Sequence, residues 1–131
     1  MDERINDKIE EIEKYLSELY DIFINDFDAY SKDLRTKAAC ERYCEKIIEA
    51  LTDLAFLVIK EKKLETPEED TQAFFILSKG GMIDEKLAEK LKEAKGMRNI
   101  LAHEYGEVDD EKVFNALNYC GLKPAGLSAK N

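Results

Sequence analysis

A chain of 131 residues suffices for one domain that encloses a single hydrophobic core without disulfide or metal staples. Hydrophobic residues at 44% and charged residues at 37% exclude a wholly disordered chain, and no apolar stretch approaches the roughly 18 residues of a membrane span. A formal net charge of −9 excludes broad, charge-driven adhesion to nucleic acid, so any RNA site has to be local; the acidity also suits a basic partner, although solubility alone accounts for it.

From Ile5 the apolar positions Ile5, Ile9, Ile12, Leu16, Leu19, Phe23 and Phe27 advance by steps of four and three, which predicts one long helix with a single stripe to bury. After a polar break around Ser31 to Asp33, the positions Leu34, Ala38, Ile47, Ile48, Leu51, Leu54, Ala55 and Val58 predict a second long helix. It should end before Pro67, whose ring disfavours helical geometry in Thr66. A short helix is expected from about Glu68 to Lys79, led by Pro67 and carrying Phe74, Phe75 and Leu77, with Gly80 and Gly81 suited to stop it in a left-handed conformation. Asp84 can cap the next helix, whose apolar positions Leu87, Leu91, Ala94, Met97 and Leu101 keep the helical period and which Gly106 can stop. Asp109 or Asp110 can then cap a last helix through Val113, Phe114 and Leu117, closed by Gly121.

No run alternates apolar and polar residues long enough to make a strand. The expected fold is therefore all-α, an up-and-down four-helix bundle with an additional short helix over residues 1–121, followed by a flexible tail, 122–131, that contains Pro124 and Gly126. Cys40, Cys44 and Cys120 are an odd number without zinc-ligand spacing, and a single histidine exists to join them; buried free thiols and no metal site are expected. The start Met1-Asp2-Glu3 carries no basic region followed by an apolar run, so the chain reads as cytoplasmic.

Chemistry concentrates in Arg98-Asn99-Ile100-Leu101-Ala102-His103-Glu104-Tyr105. His103 is the only histidine, the side chain best able to exchange protons near neutral pH, and Arg98 brings a permanent charge with a planar fork of donors suited to phosphate oxygens. At about 100° per residue, Arg98 and Tyr105 share a face two turns apart, and Asn99 and His103 share another. Arg98 and His103 diverge by about 140°, so joint action on one phosphate requires a bend, a frayed end or a second copy of the chain. Gly96, just before the motif, hints at close packing or a bend. With Gly106 ending the helix, His103 falls in the last turn, where the helix dipole favours the imidazolium and so a general acid. Taken by itself, an arginine and a histidine near a helix end are more often surface or packing residues. Glu49 and Asp53, four apart, can share a face and hold Arg98 by ion pairing, although solvated acids are the more ordinary reading.

This stretch resembles the R-x-x-x-x-H-x-Y signature of the HepT-like branch of the HEPN superfamily. The segment Arg35, Glu41-Arg42, Glu49-Ala50 and Asp53-Leu54-Ala55 is similar to that branch's second helix, and the glycine-bearing turn before Met82-Ile83-Asp84 resembles its mid-chain connection. The resemblance implies a ribonuclease toxin that needs neither metal nor cofactor, with Arg98 and His103 converging at the cleft of a homodimer. It implies RNA as the substrate, with the 2′-hydroxyl as nucleophile, and DNA is not expected. His103 would transfer the proton and Arg98 would clamp the phosphoryl oxygens, with Asn99, Glu49 and Asp53 in support. Tyr105 resembles the tyrosine that a minimal nucleotidyltransferase antitoxin modifies with AMP, where added bulk and negative charge beside Arg98 would compete with substrate phosphate; a tyrosine packed at a helix end is the ordinary alternative. Two other functions fit the residues: a non-catalytic nucleotide-binding or docking partner of such a nucleotidyltransferase, and a helical adaptor in which the motif is incidental.

Overall fold

The computed structural model describes residues 3–103 and 110–121, and helices are the only regular elements among them. They run α1 (Glu3–Ile22), α2 (Phe27–Lys32), α3 (Leu34–Glu61), α4 (Asp70–Lys79), α5 (Glu85–His103) and α6 (Asp110–Gly121). The all-α expectation holds. Among the described residues no helix is long and apolar enough to cross a membrane.

The helix expected to run unbroken from Ile5 through Phe27 is instead two, which adds a second short helix to the bundle. Asp26 stands extended and its carboxylate accepts the backbone N–H of Ala29 at 2.9 Å, which starts α2 afresh. The apolar period does not register the break because Phe23 and the more exposed Phe27 both still reach Phe114 on either side of it, each ring 5.4 Å from that of Phe114. Asp33 then serves two helices. Its N–H closes α2 on the carbonyls of Ala29 and Tyr30, and its carboxylate opens α3 by accepting from the N–H of Thr36 at 3.1 Å.

With 28 residues, about 42 Å at 1.5 Å per residue, α3 is the spine of the molecule. Its first half packs Cys40, Cys44, Ile47 and Ile48 against Ile12, Leu16 and Leu19 of α1, Tyr30 of α2, and Val113, Phe114 and Leu117 of α6. Its second half packs Ala55 and Ile59 against Ala73, Phe74, Ile76 and Leu77 of α4 and Ala88 of α5. α5 joins the two cores: Ala88 and Leu91 belong with the second, while Ala94, Met97 and Leu101 lie against the first. Its motif-bearing half therefore runs beside the middle of α3. Cys40 and Cys44 are buried free thiols as expected, and burial pushes the Cys40 thiol up to about 11.

The helix ends show how α5 is aimed. α4 begins at Asp70 and ends at Lys79 with Gly80 as its C-cap, and Gly81, whose φ is 78°, lets the N–H of Met82 return to the carbonyl of Leu77 at 2.9 Å. Asp84 then caps α5, accepting from the N–H of Leu87 at 2.7 Å. Gly96 meets neither close packing nor a break: α5 runs through it, and a methyl group added there would touch nothing within 4 Å among the described residues. At the far end, Lys37 of α3 holds Asp110, the first residue of α6, at 3.1 Å. Gly106, Asp109 and the segment 122–131 lie outside the described residues.

Candidate active site

Met97 and Leu101 turn toward the core, so Arg98, one residue round the helix from Met97, lies at the seam between α5 and α3 with its side chain 19% exposed. Its guanidinium is held from two sides. Nη2 lies 3.1 Å from Glu49 Oε2 on α3, and Nη1 donates to Oδ1 of neighbouring Asn99 at 3.2 Å. Nε is buried with no hydrogen-bond partner among the described residues. The Glu49 carboxylate is 55% exposed, and so can hold the arginine in place without sealing it from solvent.

The structure brings Glu49, Arg98 and Asn99 together but sends Asp53 elsewhere. One turn along α3 from Glu49, Asp53 lies 3.6 Å from Lys8 of α1, which also binds Glu11 at 2.9 Å. The hydrogen bond that Lys8 donates to Glu11 is the largest influence holding Lys8 above its usual value, and it lowers the Glu11 carboxyl in return. Asp53 thus serves the α1–α3 contact, and its placement gives Arg98 no second carboxylate. His103 is the last residue of α5, five positions beyond Arg98 on the same unbroken helix. Its imidazole and the whole of Tyr105 lie outside the described part of the structure. Among the described residues no group of three His, Cys, Asp or Glu side chains is placed to hold a metal ion.

One charged residue escaped the sequence reading. Lys95, three positions before Arg98, is buried at 6% exposure and reaches Asp70 at the start of α4, 3.4 Å away. It stands four residues after Leu91, on the apolar stripe, and that register was the available signal. α5 is therefore tied by a cation–carboxylate contact to α4 and by another to α3, the latter at the motif.

The described residues thus form an all-helical bundle built on one long helix, with Arg98 clamped at its seam and His103 closing α5. The model of the ribonuclease HepT-like family matches residues 5–121, and the chain belongs to that family. Among curated proteins it is 27% identical over 115 residues to the tRNA nuclease HepT of Aphanizomenon flos-aquae, covering 88% of this chain and 78% of that one. It is 23% identical over 119 residues to the mRNA nuclease HepT of Shewanella oneidensis, covering 91% of this chain and 89% of that protein. Among solved structures it resembles the tri-AMPylated Shewanella oneidensis HEPN toxin in complex with MNT antitoxin, with a TM-score of 0.85, 20% identity and 100% of both chains covered. That likeness speaks to the fold.

Proposed function

We propose that this HepT-like ribonuclease is the toxin of a toxin–antitoxin pair and cuts RNA without a metal, with Arg98 and His103 as its catalytic residues. RNA supplies its own nucleophile, so the protein need only stabilise charge on the attacked phosphate and move protons. The 2′-oxygen bonds to phosphorus as its proton passes to water, and the bond to the 5′-oxygen breaks. His103, as imidazolium at the negative end of α5, protonates that leaving oxygen. The products are a 2′,3′-cyclic phosphate and a free 5′-hydroxyl. Arg98 binds the non-bridging oxygens, Glu49 holds its fork from behind, and Asn99 occupies Nη1 until substrate replaces it.

The observation that carries this reading is the Arg98 guanidinium, fixed at 3.1 Å by Glu49 with its side chain still 19% exposed, within a chain of the HepT-like family. Because α5 is unbroken from Arg98 to His103, the divergence of about 140° between them persists, and a homodimer supplies the missing partner from its second copy. Tyr105 is the target of an MNT-type antitoxin: its phenol oxygen attacks the α-phosphate of ATP, pyrophosphate leaves, and the tyrosyl-AMP places negative charge where substrate phosphate must bind.

The test is cleavage of total RNA in the presence of a chelator by the parent chain, Arg98→Ala and His103→Ala, with the cyclic phosphate ends counted. Each variant should fall at least about a hundredfold below the parent. Undiminished cleavage by His103→Ala refutes the assignment, and retained antitoxin binding without any cleavage favours the docking module.

A further inference from the structure

A second feature lies on the face of α3 that holds Arg98. Glu49, Asp53, Phe56 and Lys60 follow one another by four, three and four residues, so they line one face over about 16 Å. From Asp53 onward this face forms the floor of a groove of about 800 Å³, walled by Arg4 at the start of α1 and by the turn after α3 with Lys63 and Pro67. In a chain of net charge −9 the groove gathers Lys60 and Lys63, with Arg4 also on its wall, while its one lining carboxylate, Asp53, is already met by Lys8 at 3.6 Å. Lys60 and Lys63 have no carboxylate within 4.0 Å among the described residues. Glu65, close by in sequence, turns instead to Lys79 at 3.7 Å.

Lys63 adds an independent observation. It ends α3 with φ at 55°, the left-handed position at which the N–H of Leu64 returns to the carbonyl of Ile59 at 2.9 Å. The chain solves the same problem at the end of α4 with Gly81, the residue that adopts this conformation without strain. At α3 it keeps a lysine there, on the wall of the groove, at a conformational cost that a helix stop alone does not require.

We propose that this groove is a subsite for single-stranded RNA, in which Lys60, Lys63 and Arg4 hold backbone phosphates beyond the scissile one while Phe56 offers a face to a base. Lys60 stands about 16 Å along α3 from Glu49, which sets it a few nucleotides away from the phosphate that Arg98 is proposed to bind. The local cations let an acidic molecule hold a polyanion that its overall field repels. The proposal rests on the nuclease reading above.

The experiment uses the full chain and fluorescent single-stranded RNAs of about 20 and about 4 nucleotides, with Lys60→Ala and Lys63→Gly made singly and together. Binding is read on a His103→Ala background, and cleavage on the active chain. Lys63→Gly should keep or raise the melting temperature, which separates its effect from misfolding. The double variant should bind the long RNA at least about tenfold more weakly at low salt, with the slope of log K against log salt shallower by about 0.7 for each lysine removed. Its cleavage of the short RNA should stay within about twofold of the parent, since few phosphates of a short strand reach the groove. If the parent binds and cuts both RNAs and the lysine variants match it on the long one, the subsite is overturned while the nuclease reading stands. Loss of antitoxin affinity with unchanged RNA binding assigns the groove to a protein and also overturns it. A parent that neither binds nor cuts RNA overturns both.

Discussion

Tyr30 is fully enclosed, its ring 6.1 Å from that of Phe23 and 5.4 Å from that of Phe114, and its hydroxyl is buried with no hydrogen-bond partner among the described residues. The ring earns its place through packing, whereas the hydroxyl was stripped of water without compensation. Tyr30→Phe should therefore raise the unfolding free energy by about 1 kcal/mol, read by urea titration at pH 8. The same group sets a pH response. Burial, more than any nearby charge, moves the Tyr30 phenol well above its ordinary value, and burial pushes the Cys40 thiol up to about 11. For both groups the folded state holds its proton after the unfolded chain has released it. Their contribution is thus fully present below the unfolded value and is lost as pH rises toward the folded one. Stability should decline above about pH 9, where unfolded cysteine begins to titrate, and more steeply above about pH 10, where tyrosine joins it. Tyr30→Phe should flatten only the upper part of that decline. An unchanged alkaline profile would show that Tyr30 does not control it.

At the scale of elements, α5 owes its placement to charges as well as to apolar contacts. Lys95 sits buried between α5 and α4 with the partly exposed Asp70 as its partner, an arrangement in which desolvation of the ammonium offsets most of the attraction. Lys95→Met, similar in length and apolar, should leave stability unchanged or raise it. Asp70→Ala, which strands the ammonium, should cost roughly 1–3 kcal/mol by thermal or urea unfolding. Equal losses from both changes would mean that the pair itself stabilises the α4–α5 contact. This residue also shows where reading the chain falls short: periodicity weighed Leu91, Ala94 and Met97 and passed over a lysine in register with them. The long helices, the Asp84 cap and the left-handed turn at Gly81 were legible because each is a local rule written in neighbouring residues. The break before α2 was not, since Phe23 and Phe27 keep their phase across it; Asn25-Asp26 was the only cue. At the candidate site, spacing placed Glu49 and Asp53 on one face of α3, but only packing could decide that Glu49 meets Arg98 while α1 brings Lys8 to Asp53.

For the whole molecule, the decisive question is whether one chain can present Arg98 and His103 to the same phosphate. α3 fixes α5 along both cores, and α5 keeps its helical path from Glu85 to its last residue, His103. The guanidinium is clamped inward at the α3 seam by Glu49, so it cannot swing round the helix toward the histidine without losing that contact. In the proposed homodimer, the two-fold partner would remove the conflict by setting the arginine of one protomer against the histidine of the other. Arg98→Ala and His103→Ala protomers, each inactive alone, should then regain cleavage when unfolded together and refolded as a mixture. In a mixed dimer one shared site lacks both groups and the other keeps both. Since random pairing makes about half of all dimers mixed, activity should return to roughly a quarter of the parental value. Sites confined to single protomers would give none, because every protomer in the mixture lacks one group. Recovery that rises as the mixture approaches equal parts, measured with a chelator present, is the signature of a shared site; a mixture as inactive as its components would place the chemistry within one chain and require the last turn of α5 to rearrange when RNA binds.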